Sequence, residues 1–381
     1  MIDPDSFLQI LQGRGVGFFA GVPDSTLKAF CRTLAEGLPP DRHVVAANEG
    51  AAVGLAAGHY LATGAMGCVY MQNSGLGNAA NPLISLNAPE VYSIPVLLLI
   101  GWRGELVDGV QSPDEPQHAM QGRITLDMLD CLEIEYAVLG AGLADPERLI
   151  GALIEQGQAQ SRPVALVVRR GVLDAEVGGA PPAGDNALTR EDALLAALAA
   201  LPEDAIFIAT TGKVSRELYE HRLARGDSPR RDFLTVGSMG HALQIAAGVA
   251  LARPEKRVVC VDGDGALIMH MGGMTTSAAV PNLVHLVMNN GGHESAGGLA
   301  SRGFAIDMPA LASACGYITT ARADSRSEIQ AAISRAMATR GSAFIEIRTG
   351  MKSRLDLSRP KGALLEAKRI FMRQLAGDSV G

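Results

Sequence analysis

Charged residues are scarce in this chain: Asp, Glu, Lys and Arg make up 19 % of its 381 residues, and aromatics only 4 %, with a single Trp. The 33 basic residues are outnumbered by 40 acidic ones, and no basic tract or basic-aromatic stripe occurs. Nucleic acid is therefore not an expected partner. Cysteine is also sparse. Cys31, Cys68, Cys131, Cys260 and Cys315 form no Cys-x-x-Cys pair, which points to reduced thiols in a cytoplasmic protein. Met1–Asp5 lacks the basic and apolar regions of a signal peptide, and the apolar run 95–101 is far too short to span a bilayer, so no membrane is expected either. Neither a Gly-x-x-x-x-Gly-Lys-Ser/Thr loop nor a Gly-x-Gly-x-x-Gly fingerprint is present.

What the chain has is small and aliphatic residues: 44 glycines, and 48 % hydrophobic residues overall. That composition excludes disorder and coiled coils and favours tightly packed α/β layers. Short apolar runs alternate with helical stretches. Strands are predicted at 16–20, 43–47, 68–71, 96–100 and 164–168, and again at 205–209, 258–261, 284–288 and 344–347. Asp24 or Ser25 is expected to cap a helix running to Leu34, and Glu49–Ala62 is Ala-rich and helical. Continuous apolar strands between helices indicate parallel sheets covered on both faces. Gly178–Asn186 reads Gly-Gly-Ala-Pro-Pro-Ala-Gly-Asp-Asn, a linker composition. The chain thus divides into a first α/β domain over 1–177, a linker at 178–188 and a second over 189–381, with no middle domain. Thr189, with Asp192 three positions on, marks the start of a helix.

The most informative segment runs Val258-Val259-Cys260-Val261-Asp262-Gly263-Asp264-Gly265-Ala266. A strand enters an acidic turn whose glycines permit close backbone approach to a ligand. Twenty-six residues after Asp264 a second predicted strand ends at Asn289-Asn290-Gly291-Gly292. Read alone, Gly-Asp-Gly is a common turn. Two such turns at the ends of neighbouring parallel strands instead bring a carboxylate, an amide oxygen and a carbonyl together. Those are hard ligands suited to Mg²⁺ bound with phosphate groups.

Gly263-Asp264-Gly265 with Asn289-Asn290 resembles the cofactor motif of the thiamine-diphosphate-dependent 2-oxo acid decarboxylases. Gly237–His241 and Asn48-Glu49-Gly50 resemble two further segments of that superfamily. Within it the chain is similar to the phosphonopyruvate decarboxylase branch, which neighbours the sulfopyruvate decarboxylases. That likeness is carried by Gly21–Ser25, Asn73–Asn78, Gly101–Gly104, Asp114–His118, Gln121–Arg123, Thr210–Leu218 and Asn290–Ser295. The resemblance implies two open, mostly parallel α/β domains, one binding the cofactor's pyrimidine and the other its diphosphate. It implies Asp264, Asn290 and the Gly292 carbonyl as Mg²⁺ ligands, and Gly265, Ala266, Thr210, Thr211 and Gly212 as diphosphate contacts. Gly237, Ser238 and Met239 would lie along the bent cofactor. Glu49 would bond the pyrimidine and Asn73 would contact the cofactor. It also implies a homodimer or larger assembly with sites completed between subunits.

The implied reaction is loss of CO₂ from phosphonopyruvate to give phosphonoacetaldehyde. No protein side chain can store the resulting carbanion, whereas a thiazolium can. The resemblance places Asp24 and Ser25 beside the substrate, and His118 and His293 are the best proton-relay candidates. Arg103, Arg123, Lys213, Arg302 and Arg354 are candidate partners for the phosphonate. Two segments depart from the relatives' pattern: Glu105–Pro113 is longer, and Leu299-Ala300-Ser301 stands where Gln-Pro-Thr is usual. Sulfopyruvate decarboxylation, carboligation of another 2-oxo acid and a catalytically silent subunit are the alternative readings.

Overall fold

In a computed structural model the described residues are 1–173, 188–354 and 356–377. The chain forms two compact units, Met1–Gly179 and Ala180–Gly381. Apart from Leu188, the expected linker lies outside the described residues.

The first unit contains β1 (Phe19–Gly21), β2 (His43–Val45), β3 (Gly67–Gln72), β4 (Val96–Gly101), β5 (Leu106–Val107), β6 (Val110–Gln111), β7 (Glu135–Leu139) and β8 (Val164–Val168). Six of these build one sheet in the order β2-β1-β3-β4-β8-β7, with every pair parallel. The second unit contains β9 (Ile206–Ala209), β10 (Asp232–Leu234), β11 (Val258–Gly263), β12 (Leu283–Asn289), β13 (Gly292–His293), β14 (Leu299–Ala300), β15 (Thr319–Ala323) and β16 (Ala343–Arg348). Its sheet, β10-β9-β11-β12-β16-β15, is also wholly parallel. Numbered by sheet strands alone, both units have the order 2-1-3-4-6-5. The sequence shows no repeat, yet the topology repeats.

The strands read as unbroken aliphatic runs because helices cover both faces of each sheet. In β11 and β12, Val259, Val261, Val284 and Leu286 face a core closed by the helices Arg190–Ala200 and Arg326–Ala338. Their neighbours Val258, Cys260, Leu283 and Val287 face the opposite core, closed by Ala242–Ala252 and Met308–Cys315. The three sheet strands missing from the sequence reading, β7, β10 and β15, are edge strands or short polar ones that carry little of the aliphatic signal. Among the described residues no helix is long and apolar enough to cross a membrane.

Helix starts are partly as expected. Thr189 does cap Arg190–Ala200: its hydroxyl accepts from the Asp192 N–H at 3.1 Å and donates to the Asp192 carboxylate at 2.8 Å. The helix expected from Asp24 or Ser25 instead begins at Lys28, with Leu27 in the cap position and no side-chain cap. Asp24 bonds the N–H groups of Thr26 (2.9 Å) and Leu27 (3.2 Å), forming a tight turn one step earlier.

In both units the strand order reverses between the first and third sheet strands. In open α/β sheets ligands bind outside the carboxyl ends of the strands at such a reversal.

Candidate active site

In the first unit the loops after β1, β2, β3 and β4 carry the candidate residues. Glu49 opens the helix Glu49–Thr63, whose cap is Asn48, its side-chain oxygen accepting from the Ala51 N–H at 2.9 Å. The Glu49 carboxylate is 5 % exposed and accepts from Asn78 Nδ2 at 2.7 Å. Gly75 lies so close that a Cβ there would sit 2.5 Å from Glu49 Oε1. The Asn73–Asn78 motif therefore serves Glu49 twice, by Asn78 as a donor and by Gly75 as space. Asn78 was not singled out from the sequence, although the motif containing it was.

Asp24, 2 % exposed, accepts from Gln72 Nε2 at 2.8 Å. Burial raises its carboxyl above the ordinary range against the bonds from Gln72 and Thr26. Ser25 Oγ accepts from Arg103 Nη1 at 3.0 Å. The rest of the Arg103 fork grips Asp114, by Nε at 2.8 Å and Nη2 at 2.5 Å, and Asp114 also accepts from the Gly104 N–H. Burial works upward on Asp114, but these bonds outweigh it and hold the carboxyl well below its usual range. His118 is buried, and its Nδ1 has no partner among the described residues. Burial, then the Arg103 charge, lowers its basicity and keeps the imidazole neutral near pH 7. Asn73 acts as a strut: its amide donates to the Arg103 carbonyl at 3.0 Å and to Thr125 at 2.9 Å, and accepts from the Arg103 N–H at 3.2 Å.

In the second unit the loops after β9, β10, β11 and β12 converge. Asp264 begins the short helix Asp264–Met269 and is 3 % exposed. Burial pushes its carboxyl up to about 6, against bonds from Ser301 and the Gly265 and Asn290 N–H groups. Ser301 donates to Asp264 Oδ2. The Asn290 side-chain oxygen accepts from the Gly292 N–H at 3.1 Å. Asp264, Asn290 and Gly292 are thus brought to one place. A Cβ on Gly265 would lie 3.1 Å from His293 Cε1 and 3.5 Å from Met239 Cε, so Met239 and His293 join the same site. Burial lowers the basicity of His293 as well. Ser238 holds φ at 53° and Gly212 at 111°. A non-glycine residue held left-handed beside a site is stored strain. Thr210 is 4 % exposed and its hydroxyl has no partner among the described residues.

These residues fit a metal-diphosphate group. The buried Asp264 carboxylate gains from a cation, the Thr210 hydroxyl has an unused donor, and the glycine at 265 leaves room for backbone approach.

The two departing segments are ordered. Glu105–Pro113 folds as the β5–β6 hairpin, turned by Asp108 (φ 49°) and Gly109 (φ 78°). Asp-Gly between β-prone residues is the usual sign of that turn, and it stood in the sequence. Leu299 and Ala300 pair antiparallel with Gly292 and His293, which carries Ser301 onto Asp264.

The candidate cations separate. Arg354 is exposed and taken up by Glu191, Glu220 and Asp356. Arg123 is exposed and bonds Gln111 at 3.1 Å, and Arg302 is exposed. Lys213 is 3.0 Å from Glu294 and 2.7 Å from Ser353. Of the five, Arg103 lies among Ser25, Asp24 and His118.

Residues 4–129 match the N-terminal TPP-binding domain of the thiamine pyrophosphate enzymes, and residues 211–347 match their C-terminal TPP-binding domain. The chain is 38 % identical to a phosphonopyruvate decarboxylase of Streptomyces viridochromogenes, over 97 % of this chain and 94 % of that protein. A second phosphonopyruvate decarboxylase, from Streptomyces hygroscopicus, is also 38 % identical, over 97 % and 93 %. A sulfopyruvate decarboxylase of Methanosarcina acetivorans is 27 % identical over 91 % of each chain. With its two cofactor-binding domains and these near full-length relatives, the chain belongs to the thiamine-diphosphate-dependent 2-oxo acid decarboxylases, in the family of the phosphonopyruvate decarboxylases.

Proposed function

We propose that the protein converts 3-phosphonopyruvate to phosphonoacetaldehyde and CO₂, using thiamine diphosphate with Mg²⁺. The observation that carries this reading is the 38 % identity spanning 94 % of a phosphonopyruvate decarboxylase. Glu49, Asp264 and Asn290, the residues the chemistry needs, are all present and buried. When bound, thiamine diphosphate supplies the electron sink for the carbanion left by loss of CO₂. Asp264, Asn290 and the Gly292 carbonyl hold the metal. Thr210 to Gly212, Gly265 and Ala266 hold the diphosphate. Gly237, Ser238 and Met239 would contact the cofactor, and Glu49, fixed by Asn78, would bond its pyrimidine.

The chain's own groups then bind the substrate and move its protons. Asp114 holds one edge of the Arg103 guanidinium through Nε and Nη2, which leaves the Nη1 side, bonded to Ser25, to meet a phosphonate. Neutral His118 and His293 are in the state that accepts a proton, and as imidazoles they return it at neutral pH. Asp24, held by Gln72, is the remaining acid beside Ser25.

The test is a steady-state panel of phosphonopyruvate, sulfopyruvate and pyruvate, with aldehyde and CO₂ measured directly. A buried charge pair lost with the wrong substrate costs roughly 2–5 kcal/mol. Phosphonopyruvate is therefore expected to exceed pyruvate in kcat/KM by at least about 30-fold. A higher kcat/KM for sulfopyruvate or an uncharged acid overturns the substrate while leaving the decarboxylase chemistry. CO₂ release only on addition of an acceptor aldehyde would establish carboligation.

A further inference from the structure

A group of reactive side chains lies under the Asp264 turn and outside the chemistry above. Cys260 and Asp262 are two positions apart on β11, and His285 on β12 is the direct cross-strand partner of Cys260. Residues i and i+2 of a strand face the same side, so all three project from one face of the sheet. That face is otherwise an apolar core of Val258, Leu283, Val287 and Phe344. Cys260, Asp262 and His285 are 0 %, 1 % and 0 % exposed.

This polar cluster is not satisfied internally. His285 Nε2 is 3.5 Å from Asp262 Oδ2, too long for a good hydrogen bond. Among the described residues neither nitrogen of His285 has a partner, nor does Asp262 Oδ2. Tyr317, whose ring centroid is 6.4 Å from that of His285, also has a buried hydroxyl with no partner among the described residues. Native cores rarely leave so many buried polar atoms unpaired in one place. The three groups nonetheless present one donor atom each, a thiol sulfur, a carboxylate oxygen and an imidazole nitrogen, all within 4.8 Å of one another. Asp262 Oδ1 accepts from the Gly263 N–H at 2.9 Å, which fixes the carboxylate as an outer hydrogen bond fixes a metal ligand.

We propose that Cys260, Asp262 and His285 hold a structural zinc ion inside the second unit. A thiolate and a carboxylate balance a divalent charge, leaving a neutral cluster in the core. The mixed sulfur, nitrogen and oxygen set favours zinc over Mg²⁺ or Ca²⁺, which take oxygen alone. Two residues on one strand and one on its neighbour supply three donors from below. One internal water completes the tetrahedron. The ion ties β11 to β12 directly beneath the turns that carry Asp264 and Asn290, with no role in the reaction itself.

The test uses untagged wild-type protein, expressed with added zinc and gel-filtered into metal-free buffer without chelator to remove loosely held ions. Elemental analysis is expected to find about one zinc per chain. Protein expressed in cobalt medium is expected to show a thiolate-to-cobalt charge-transfer band. Cys260→Ser should abolish that band and lower the zinc content at least tenfold, whereas Asp264→Ala should keep the zinc. Less than a tenth of an equivalent in the wild type overturns the proposal. So does bound metal whose cobalt form lacks the thiolate band, or full zinc retention in Cys260→Ser. If Cys260→Ser does not fold, the wild-type zinc content and the cobalt spectrum decide the matter alone.

Discussion

Glu49 is held by packing as much as by its hydrogen bond. Asn78 donates to one oxygen, and the missing side chain of Gly75 leaves room for the other. Glu49→Gln keeps the shape and loses the charge. It is expected to bind the cofactor normally but to exchange the cofactor's C2 proton about 10²-fold or more slowly, as followed by proton NMR. Gly75→Ala keeps the charge and displaces it. It should slow the same exchange and lower stability by about 1–3 kcal/mol, the ordinary cost of overpacking, read from a urea midpoint. Normal exchange in both variants would remove Glu49 from its role. A second residue, His43, sets a pH response. Its Nε2 lies 3.0 Å from the Tyr70 hydroxyl, and burial lowers its pKa from 6.5 to about 4. Between those values the unfolded chain binds the proton and the folded chain does not. Stability is therefore full above pH 6.5 and falls as the pH drops through 4. The urea midpoint of wild type should drop more from pH 7 to pH 5 than that of His43→Gln, and equal drops would exclude His43 as the cause.

At the scale of elements, the boundaries that the sequence predicted well are those set by local chemistry. Thr189 caps its helix by the expected side-chain bonds, and Thr189→Ala is expected to cost about 1 kcal/mol in urea unfolding, with a loss under a few tenths counting against the cap. Central strands such as β8, read at 164–168 and found there, show their burial as an unbroken aliphatic run. Edge strands do not. β7 reads Glu-Tyr-Ala-Val-Leu and β15 reads Thr-Thr-Ala-Arg-Ala, and only a neighbour's open hydrogen-bonding edge makes them strands. Asp24 shows the same limit. Its side chain suits a helix cap, but its bonds to Thr26 and Leu27 close a turn, and Gln72 from β3 holds its other oxygen.

For the whole molecule, the residues assigned to the pyrimidine side lie in the first unit and those assigned to the diphosphate side in the second. We propose, on the family resemblance, that sites are completed between subunits. Glu49→Gln and Asp264→Ala chains, each inactive alone, are then expected to regain part of the wild-type kcat when co-assembled. No recovery in verified mixed oligomers would place each site within one chain. The sequence by itself determined the α/β class and the cofactor chemistry. Both are written in short contiguous patterns: aliphatic runs of strand length, Gly263-Asp264-Gly265, and Asn289-Asn290. Only the tertiary structure decided which of five cations joins Ser25 and Asp24, that Ser301 reaches Asp264, and that Asn73 bonds Arg103 and Thr125. It also brought Cys260, Asp262 and His285 into one buried cluster. These facts depend on strand order and on the face to which each side chain points. Strand pairing sets both between residues far apart in the chain, and no local pattern records it.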